Sequence, residues 1–276
     1  MYNEDAMEQQ EEIEFPWLVF KIKDNLYTVN SKRITSIVML SENVTKIPNV
    51  PDYMMGLIHL RGNVIPLVDL RLLFNIKSVQ EEYDEFTKMI DDRKQDHIHW
   101  VDEFEHSIDN EEEFKLTTDP HKCALGKWYD NYTTDVETIK FQLKKLDEPH
   151  KKIHQAALDV QNCPKDCENC NREKCLKTIL KETKEKNMPY LLGLLDQVKE
   201  LFKLHFKEMV IVFEDDNSFM GILVDEVLSV ENITPFEETE EIKKMCKDGY
   251  VKGVAKGHKN NDVLLILDKE KIMNMA

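Results

Sequence analysis

The chain of 276 residues is long enough for two domains with separate cores, and its formal net charge at pH 7 is −16. This acidic balance argues against nucleic-acid and anionic-membrane partners, because phosphate contacts need clustered Lys and Arg. The sequence shows no apolar stretch long enough for a membrane span and no basic, apolar leader after Met1. We therefore expect a cytoplasmic protein without direct membrane insertion.

The first and last parts of the sequence are predicted to be β-structure. Between Phe15 and Phe74 apolar residues recur with a period of two, as is typical of strands. Strand-like apolar segments occur again near the end of the chain and are separated by turn-rich stretches. There are four of them, Met209–Phe213, Phe219–Val227, Tyr250–Ala255 and Val263–Leu267. The sequence thus predicts an all-β domain in two parts, 14–76 and 208–276, interrupted by residues 77–207.

The interrupting segment is predicted to begin with an amphipathic helix. Apolar and aromatic residues recur there in alternating steps of three and four from Val79 to Ile108. His97 lies on this stripe, whereas His99 and His106 fall on the side expected to face solvent. His97 is therefore a candidate metal ligand.

Cys123 is a second candidate ligand, at the start of another predicted helix. Asp119 suits the N-cap position and Pro120 the first helical position, which places the Cys123 thiol in the first turn. The positive end of the helix dipole favours a thiolate there.

His150 and His154 form a third candidate element, four residues apart on a helix that Pro149 can open. Side chains at that spacing project from one helix face and can chelate one metal ion. A straight helix from Cys123 to His150 would hold them about 40 Å apart, so the helix has to break between them. The polar run 131–135, with Thr134 and Glu137 spaced as a capping box, is the expected reversal.

Three histidines and one cysteine fill the tetrahedral coordination sphere that Zn²⁺ prefers and leave no open position for a substrate. The sequence also lacks a His-Glu-x-x-His segment, so we expect no enzyme. Taken singly, each candidate has a plainer interpretation, as a core histidine or an inert buried cysteine. If the four bind one ion together, the set suits a structural or sensing zinc site.

A cysteine cluster lies between the predicted helices, at Cys163, Cys167, Cys170 and Cys175. In a reducing cytoplasm such density favours metal or redox chemistry over structural disulfides. A second Zn²⁺ or an iron–sulfur cluster uses ligands of this type, although the spacing matches neither zinc-ribbon pairs nor a ferredoxin run. Three interpretations stay open: a metal site, a redox-switched thiol group and a locally disordered loop.

The predicted β-domain resembles the CheW family of bacterial chemotaxis coupling proteins. The resemblance rests on PDYMMGLIHLRGNVIPLVDLR at residues 51–71, and on MGILVDEV, VKGVA and DKEKI in the second part. It implies a noncatalytic adaptor or scaffold of two five-stranded β-barrel subdomains. Such adaptors bind the cytoplasmic tip of chemoreceptors and the regulatory domain of the chemotaxis histidine kinase within receptor arrays.

The same resemblance implies coupling roles for two residues. Arg61 occupies the Leu-Arg-Gly position associated with receptor coupling, and Ile34 matches an apolar position associated with the receptor-tip contact. Ser36 departs from members that carry an acidic residue there, which leaves receptor preference open. Arg61 also has a structural interpretation, as an ion pair that closes the turn at Gly62.

The helical insert resembles the chemoreceptor zinc-binding (CZB) domain, through His97 and Trp100, then Cys123-Ala-Leu-Gly-Lys-Trp128, then His150 and His154. The resemblance implies that a helical bundle holds one Zn²⁺ through the three histidines and Cys123. The family is associated with zinc sensing and with oxidation of its zinc-bound cysteine by hypochlorous acid, a role that falls on Cys123. Whether the bundle forms a homodimer, as exposed modules of this family can, stays open, and so does a purely structural or docking role for the bundle.

Overall fold

A computed structural model of the chain describes residues 15–40, 43–134, 136–163, 171–205, 207–215, 218–237, 239–246 and 249–275. The chain divides into two compact units, which we call the β unit (residues 1–79 and 207–276) and the helical unit (residues 80–206). None of the described helices combines the length and apolar character that a membrane crossing requires.

The strands of the β unit follow the chain in two groups. The first group is β1 (Trp17–Ile22), β2 (Asn25–Asn30), β3 (Ile34–Met39), β4 (Met54–Leu60) and β5 (Asn63–Asp69). The second is β6 (Met209–Asp215), β7 (Ser218–Val224), β8 (Glu226–Glu231), β9 (Ile233–Pro235), β10 (Val251–Gly257) and β11 (Val263–Leu267). Both groups contribute strands to both sheets, so each sheet needs the two separated parts of the chain.

One sheet has the strand order β8-β1-β2-β11-β10-β9 and the other the order β3-β6-β7-β5-β4. The alternation of apolar residues explains how they pack, since Leu18, Phe20 and Ile22 on β1 share a buried cluster with Ile211 and Phe213 on β6. The predicted β-domain in two parts is therefore confirmed. It differs in detail, because β9 adds a sixth strand to one sheet and neither sheet closes into a barrel within the described residues.

The geometry of the β4–β5 hairpin explains why its turn contains glycine. Leu60 pairs with Asn63, so Arg61 and Gly62 alone form the turn. Their φ angles are +52° and +90°, the left-handed values that a two-residue hairpin turn of type I′ needs. Glycine adopts such a value without steric cost, which accounts for the Arg-Gly pair.

Nine α-helices occur within the described residues. They are α1 (Leu70–Leu73), α2 (Val79–Asp109), α3 (Ala124–Asn131), α4 (Glu137–Lys144), α5 (Asp147–Gln161), α6 (Arg172–Glu182), α7 (Met188–His205), α8 (Glu240–Cys246) and α9 (Lys269–Met273). A π-helical segment, Thr183–Asn187, joins α6 to α7. The core of the helical unit is built from α2, α3, α4, α5 and α7, with Ile90, Phe104, Ile139, Ile153 and Leu191 fully buried. The predicted helical bundle is confirmed.

The predicted break between Cys123 and His150 is also confirmed, since α3 ends at Asn131 and α4 begins at Glu137. The predicted capping box at this point is wrong. Val136 is the N-cap of α4 and no side chain caps the helix, while the Thr134 hydroxyl accepts a hydrogen bond from the Val136 N–H at 3.2 Å. Thr134 thus closes the preceding turn, because a bond two residues ahead stabilises a turn before the helix starts.

Candidate metal centre

The long helix α2 places His97 inside the helical unit with only 2% of its surface exposed, whereas His99 is exposed as predicted. The His97 Nδ1 lies 2.9 Å from the carbonyl oxygen of Arg93, one helical turn earlier. A carbonyl only accepts hydrogen bonds, so Nδ1 carries the proton and Nε2 is left as the ligand atom.

Helix α5 places the other two histidines, with His150 5% exposed and His154 fully buried. The His154 Nδ1 lies 3.2 Å from the carbonyl oxygen of Thr117, and the indole N–H of Trp100 donates to the same oxygen at 2.9 Å. This shared acceptor fixes the tautomer and orientation of His154. The sequence did not indicate Thr117, because its contribution comes from the backbone carbonyl group and not from its side chain.

Cys123 is itself the N-cap of α3, and its Sγ accepts a hydrogen bond from the Gly126 N–H at 3.2 Å. The predicted start of this helix at Asp119 and Pro120 is therefore wrong. Asp119 accepts a bond from the His121 N–H in a separate turn, and regular helix begins only at Ala124.

Gly126 explains why the helix begins there. A Cβ on Gly126 would lie 1.8 Å from the carbonyl oxygen of Pro120, a contact that no side chain can occupy. The absence of a side chain therefore lets the first turn of α3 lie directly on the preceding turn. Leu125, beside it, is buried in the core of the helical unit. The Cys-x-Leu-Gly pattern thus combines a ligand, a core anchor and a close backbone approach.

The four predicted ligands come together. Their ligand atoms, the three imidazole nitrogens and the Cys123 Sγ, all lie within 4.8 Å of one another. The Sγ is 3.2 Å from the His150 Nε2 and 3.9 Å from the His97 Nε2. Ligand atoms around a tetrahedral zinc ion lie about 3.5 Å apart, so these two distances bracket the required value.

A further observation shows that the residues fit a metal ion. The His154 Nε2 is buried and has no hydrogen-bond partner within the described residues. A buried nitrogen without a partner costs free energy that coordination would offset. Neutral imidazoles and a cysteine sulfur are the donor types that Zn²⁺ takes in closed sites.

The electrostatics of the histidines suit this role. Burial, together with the neighbouring His97, lowers the pKa of His150 to about 3 and that of His154 to about 4. Burial likewise lowers the pKa of His97. All three rings are therefore neutral at pH 7, which is the form that coordinates a metal.

The pKa of the Cys123 thiol differs from the prediction of a favoured thiolate. Burial raises its pKa, and the hydrogen bonds from the backbone N–H groups of Gly126 and Leu125 oppose this effect only in part. The predicted preference for a thiolate at the helix start is thus outweighed by desolvation. Coordination by Cys123 has to displace a proton, as is usual for cysteine ligands.

The two predicted coupling residues lie in the β unit. Arg61 is exposed at the tip of the β4–β5 hairpin, and its side chain has no hydrogen bond or ion pair within the part of the chain that the structure describes. The structural interpretation of Arg61 as an ion pair that closes the turn is therefore not supported. Ile34, the first residue of β3, is partly buried and packs against the core between the sheets.

The predicted cysteine cluster is only partly within the described residues. Cys163 follows α5 and Cys175 lies in the first turn of α6, both partly buried. Cys167 and Cys170 lie outside the described residues. The second metal or redox site therefore stays a prediction.

The fold and the site define a split β-domain with an inserted helical module that brings four metal-type ligands together. The chain matches the family "CheW-like domain" over residues 16–108 and 190–276, and the family "Chemoreceptor zinc-binding domain" over residues 97–161. The first match covers more than half of the chain. The chain belongs to the CheW-like family, and its CZB match starts before the first CheW-like part ends, with residues 97–108 common to both.

Individual relatives are similar over part of the chain. The chemotaxis protein CheW of Helicobacter pylori is 36% identical over 77 residues, which are 28% of this chain and 46% of that protein. CheW of Klebsiella aerogenes is 34% identical over 74 residues, which are 27% of this chain and 43% of that protein. The chain thus spans less than half the length of these curated relatives.

The crystal structure of the scaffolding protein TtCheW from Thermoanaerobacter tengcongensis aligns with 92% of this chain and 89% of its own, at 14% identity and a TM-score of 0.37.

Proposed function

We propose that the protein is a cytoplasmic chemotaxis adaptor, associated with chemoreceptor arrays, that links the cytoplasmic tip of chemoreceptors to the regulatory domain of the chemotaxis histidine kinase. In this proposal residues 14–76 and 208–276 carry the coupling surfaces and act without catalysis. Residues 77–207 bind one Zn²⁺ and respond to zinc or to thiol oxidants such as hypochlorous acid.

One observation carries the sensing part of the proposal. The ligand atoms of His97, Cys123, His150 and His154 converge within 4.8 Å in a module that matches the CZB domain, inside a chain of the CheW-like family. A set of three neutral imidazoles and one sulfur completes a tetrahedral sphere, so the site suits binding and not turnover. The coupling part is supported by the CheW-like match and by the exposed tip at Arg61.

The chemistry proposed for Cys123 is a two-electron oxidation. A bound Zn²⁺ supplies the positive charge that keeps the sulfur deprotonated. The thiolate sulfur donates an electron pair to the chlorine of hypochlorous acid, an S–Cl bond forms, the O–Cl bond breaks and hydroxide leaves. Water then attacks the sulfur, an S–O bond forms, and chloride and a proton leave. The product is a sulfenic acid, which no longer provides the thiolate ligand.

The position of Cys123 suggests how this change spreads. The same sulfur that would bind the metal also caps α3 through the Gly126 N–H. Oxidation therefore weakens both the coordination and the first turn of this helix. Because Leu125 belongs to the core of the helical unit, a displaced α3 disturbs the packing of the bundle.

The test is the affinity of this protein for a chemotaxis kinase regulatory domain, measured with zinc bound, after zinc removal and after treatment with hypochlorous acid. A sensor changes affinity with zinc or oxidation, and Cys123→Ser loses the oxidant response while untreated protein still binds. Cys246→Ser, in the β unit, is the matched control and keeps the response. If affinity stays constant in every state, the adaptor's zinc bundle is purely structural or a docking module.

Arg61 gives a separate test of coupling. Arg61→Ala removes an exposed side chain that has no partner within the described residues, so we expect weakened receptor-tip binding at unchanged thermal stability. Ile34→Ala serves as the comparison, because it also removes packing against the core. Unchanged receptor binding in Arg61→Ala would remove Arg61 from the coupling surface.

The cysteine cluster and the oligomeric state complete the proposal. Cys163, Cys167, Cys170 and Cys175 are proposed to hold a second Zn²⁺ or an iron–sulfur cluster, or to act as redox-switched thiols. Metal analysis with the visible absorption spectrum separates these cases, since only an iron–sulfur cluster adds iron and colour.

A homodimer through the helical unit is proposed as well, and sedimentation analysis tests it.

A further inference from the structure

Three carboxylates lie at one end of three neighbouring strands of the β unit. In the sheet order β6-β7-β5, Met209 pairs with Val224, so Glu208 and Asp225 lie at adjacent strand ends. Asp69, the last residue of β5, pairs with Leu223 on the other side of β7. The pairing therefore brings Glu208, Asp225 and Asp69 to the same edge.

One cation sits among these acids and is already paired. Arg71 is 3% exposed, and its Nε and Nη2 donate to the two carboxylate oxygens of Asp225 at 2.6 Å and 2.7 Å. Its Nη1 donates to the carbonyl oxygen of Lys77, two residues before α2 begins, at 3.1 Å. Arg71 thus ties the chain that leads into the insert to the β7–β8 turn.

Asp69 adds an unusual buried charge. It is 1% exposed, and its Oδ1 caps α1 by accepting from the N–H groups of Arg71 and Leu72. Its Oδ2 is buried without a hydrogen-bond partner in the described part of the chain. Arg71 forms a bidentate pair with Asp225, and its charge also lowers the pKa of Asp69, whereas burial and the charge of Asp225 raise it.

Glu208 is the group whose charge can change. It lies three residues after the end of α7, where the insert rejoins the β unit, and its carbonyl oxygen accepts from the Leu40 N–H at 2.9 Å. We propose that Glu208, together with Asp69, Asp225 and Arg71, forms a proton-binding switch at this edge of the β unit. With its proton, Glu208 adds no charge; without it, Arg71 is attracted by three carboxylates and its bond to Lys77 is weakened.

The electrostatics of the group agree with this geometry. Burial, together with the charges of Asp69 and Asp225, raises the pKa of Glu208 to about 7 against the opposing effect of Arg71. Burial also raises the pKa of Asp69. A metal ion is not the expected ligand, because among the described residues only the histidine–cysteine set brings its ligand atoms close enough to hold one.

The sign of the pH effect follows from linkage. The folded state holds the Glu208 proton up to about pH 7, whereas an unfolded glutamate releases it near the ordinary value of 4.5. The stability that this proton contributes is therefore complete below that lower pH and is lost as pH rises through about 7. The switch responds to proton concentration near neutrality and does not depend on the zinc site.

The first test uses Glu208→Gln, which mimics the protonated side chain. We expect the melting temperature of its β unit to exceed that of the wild type by at least about 2 °C at pH 8, with the difference shrinking toward pH 5. Glu226→Gln changes an exposed glutamate next to Asp225 and is expected to follow the wild type. If Glu208→Gln has the same pH dependence as the wild type, the proposal fails.

The second test needs no stability measurement. In protein with ¹³C-labelled glutamate carboxyl groups, one NMR resonance of the wild type should titrate close to pH 7 and be missing in Glu208→Gln. If every glutamate carboxyl titrates below about pH 6, Glu208 carries no proton near neutrality and the switch does not exist.

Discussion

At the scale of single residues, α2 offers a comparison between two histidines. His97 is buried with its Nε2 directed to the other ligands, while His99, two positions on, is exposed. We expect His97→Ala to lose tight zinc binding, because three ligands no longer fill the tetrahedral sphere. We expect His99→Ala to retain one zinc ion per chain, as measured by elemental analysis after dialysis.

Two other outcomes would contradict the proposed ligand set. If His97→Ala still binds one zinc ion while circular dichroism shows unchanged helix content, another residue supplies the fourth ligand. Equal loss of zinc from both variants would place the metal outside this cluster.

A second prediction concerns the shared acceptor at Thr117. Trp100→Phe removes the indole N–H that donates to the Thr117 carbonyl oxygen, and this oxygen also holds the His154 Nδ1. Loss of such an outer contact typically lowers metal affinity about 10- to 100-fold, so competition with a chromophoric chelator should show a decrease in that range.

Trp128→Phe is the matched control for Trp100. The Trp128 ring packs against Phe86 and Tyr132, and its N–H has no hydrogen bond within the described residues. Zinc affinity should therefore stay close to that of the wild type. A comparable decrease in both variants would mean that ring packing, and not the hydrogen bond, positions His154.

The sequence predicted the position of His97 correctly but not the capping role of Cys123, and the reason is physical. The buried side of α2 follows from helical periodicity, which separates His97 from His99 without a structure. The capping role of Cys123 does not follow, because Asp119 and Pro120 satisfy the local rules for a helix start. What decides the matter is the approach of Gly126 to the Pro120 carbonyl oxygen, a contact that periodicity does not encode.

At the scale of elements, two glycines in helices test this interpretation. Gly126→Ala would bring a Cβ to 1.8 Å from the Pro120 carbonyl oxygen, so α3 has to move away from its turn. Because α3 carries Cys123 at its N-cap, we expect lower thermal stability of the helical unit and weaker zinc binding. Thermal melts and the same chelator competition measure both.

Gly193→Ala, inside α7, is the opposite case. Apart from its chain neighbours and the backbone of its own helix, a Cβ there meets no described atom within 4 Å, so nothing opposes the better helix propensity of alanine. We expect a gain of about 1 kcal/mol in the unfolding free energy of the helical unit, with unchanged zinc affinity. A loss of stability in Gly193→Ala would show that α7 requires flexibility at this position.

Strands that are short, or that meet residues far away in the sequence, are also hard to predict from periodicity. The alternation of β1 identifies its buried face, but β9 spans only Ile233–Pro235 and is too short for a periodic signal. Its pairing with β10 adds the sixth strand to one sheet. The Arg71–Asp225 pair was equally inaccessible to sequence reasoning, because its partners are 154 positions apart and meet only after the sheets form.

At the scale of the whole molecule, the two units have separate buried cores. The cores of the β unit contain Phe20 and Phe213 in one cluster and Leu67 in another, whereas the core of the helical unit includes Phe104 and Ile153. The four proposed ligands all belong to the helical unit and join α2, the start of α3 and α5. Zinc binding should therefore directly stabilise the helical unit.

Calorimetry with and without a zinc chelator tests this expectation. A ligand at 100 times its dissociation constant adds about 2.7 kcal/mol to the folded state. For a unit of this size that corresponds to a shift of about 10 °C in one unfolding transition, while the transition of the β unit stays in place. In His97→Ala the chelator should have no effect, because the variant has no zinc to lose. If instead a single transition shifts as a whole, the two units unfold cooperatively, and a change at Cys123 alters the stability of the β unit as well.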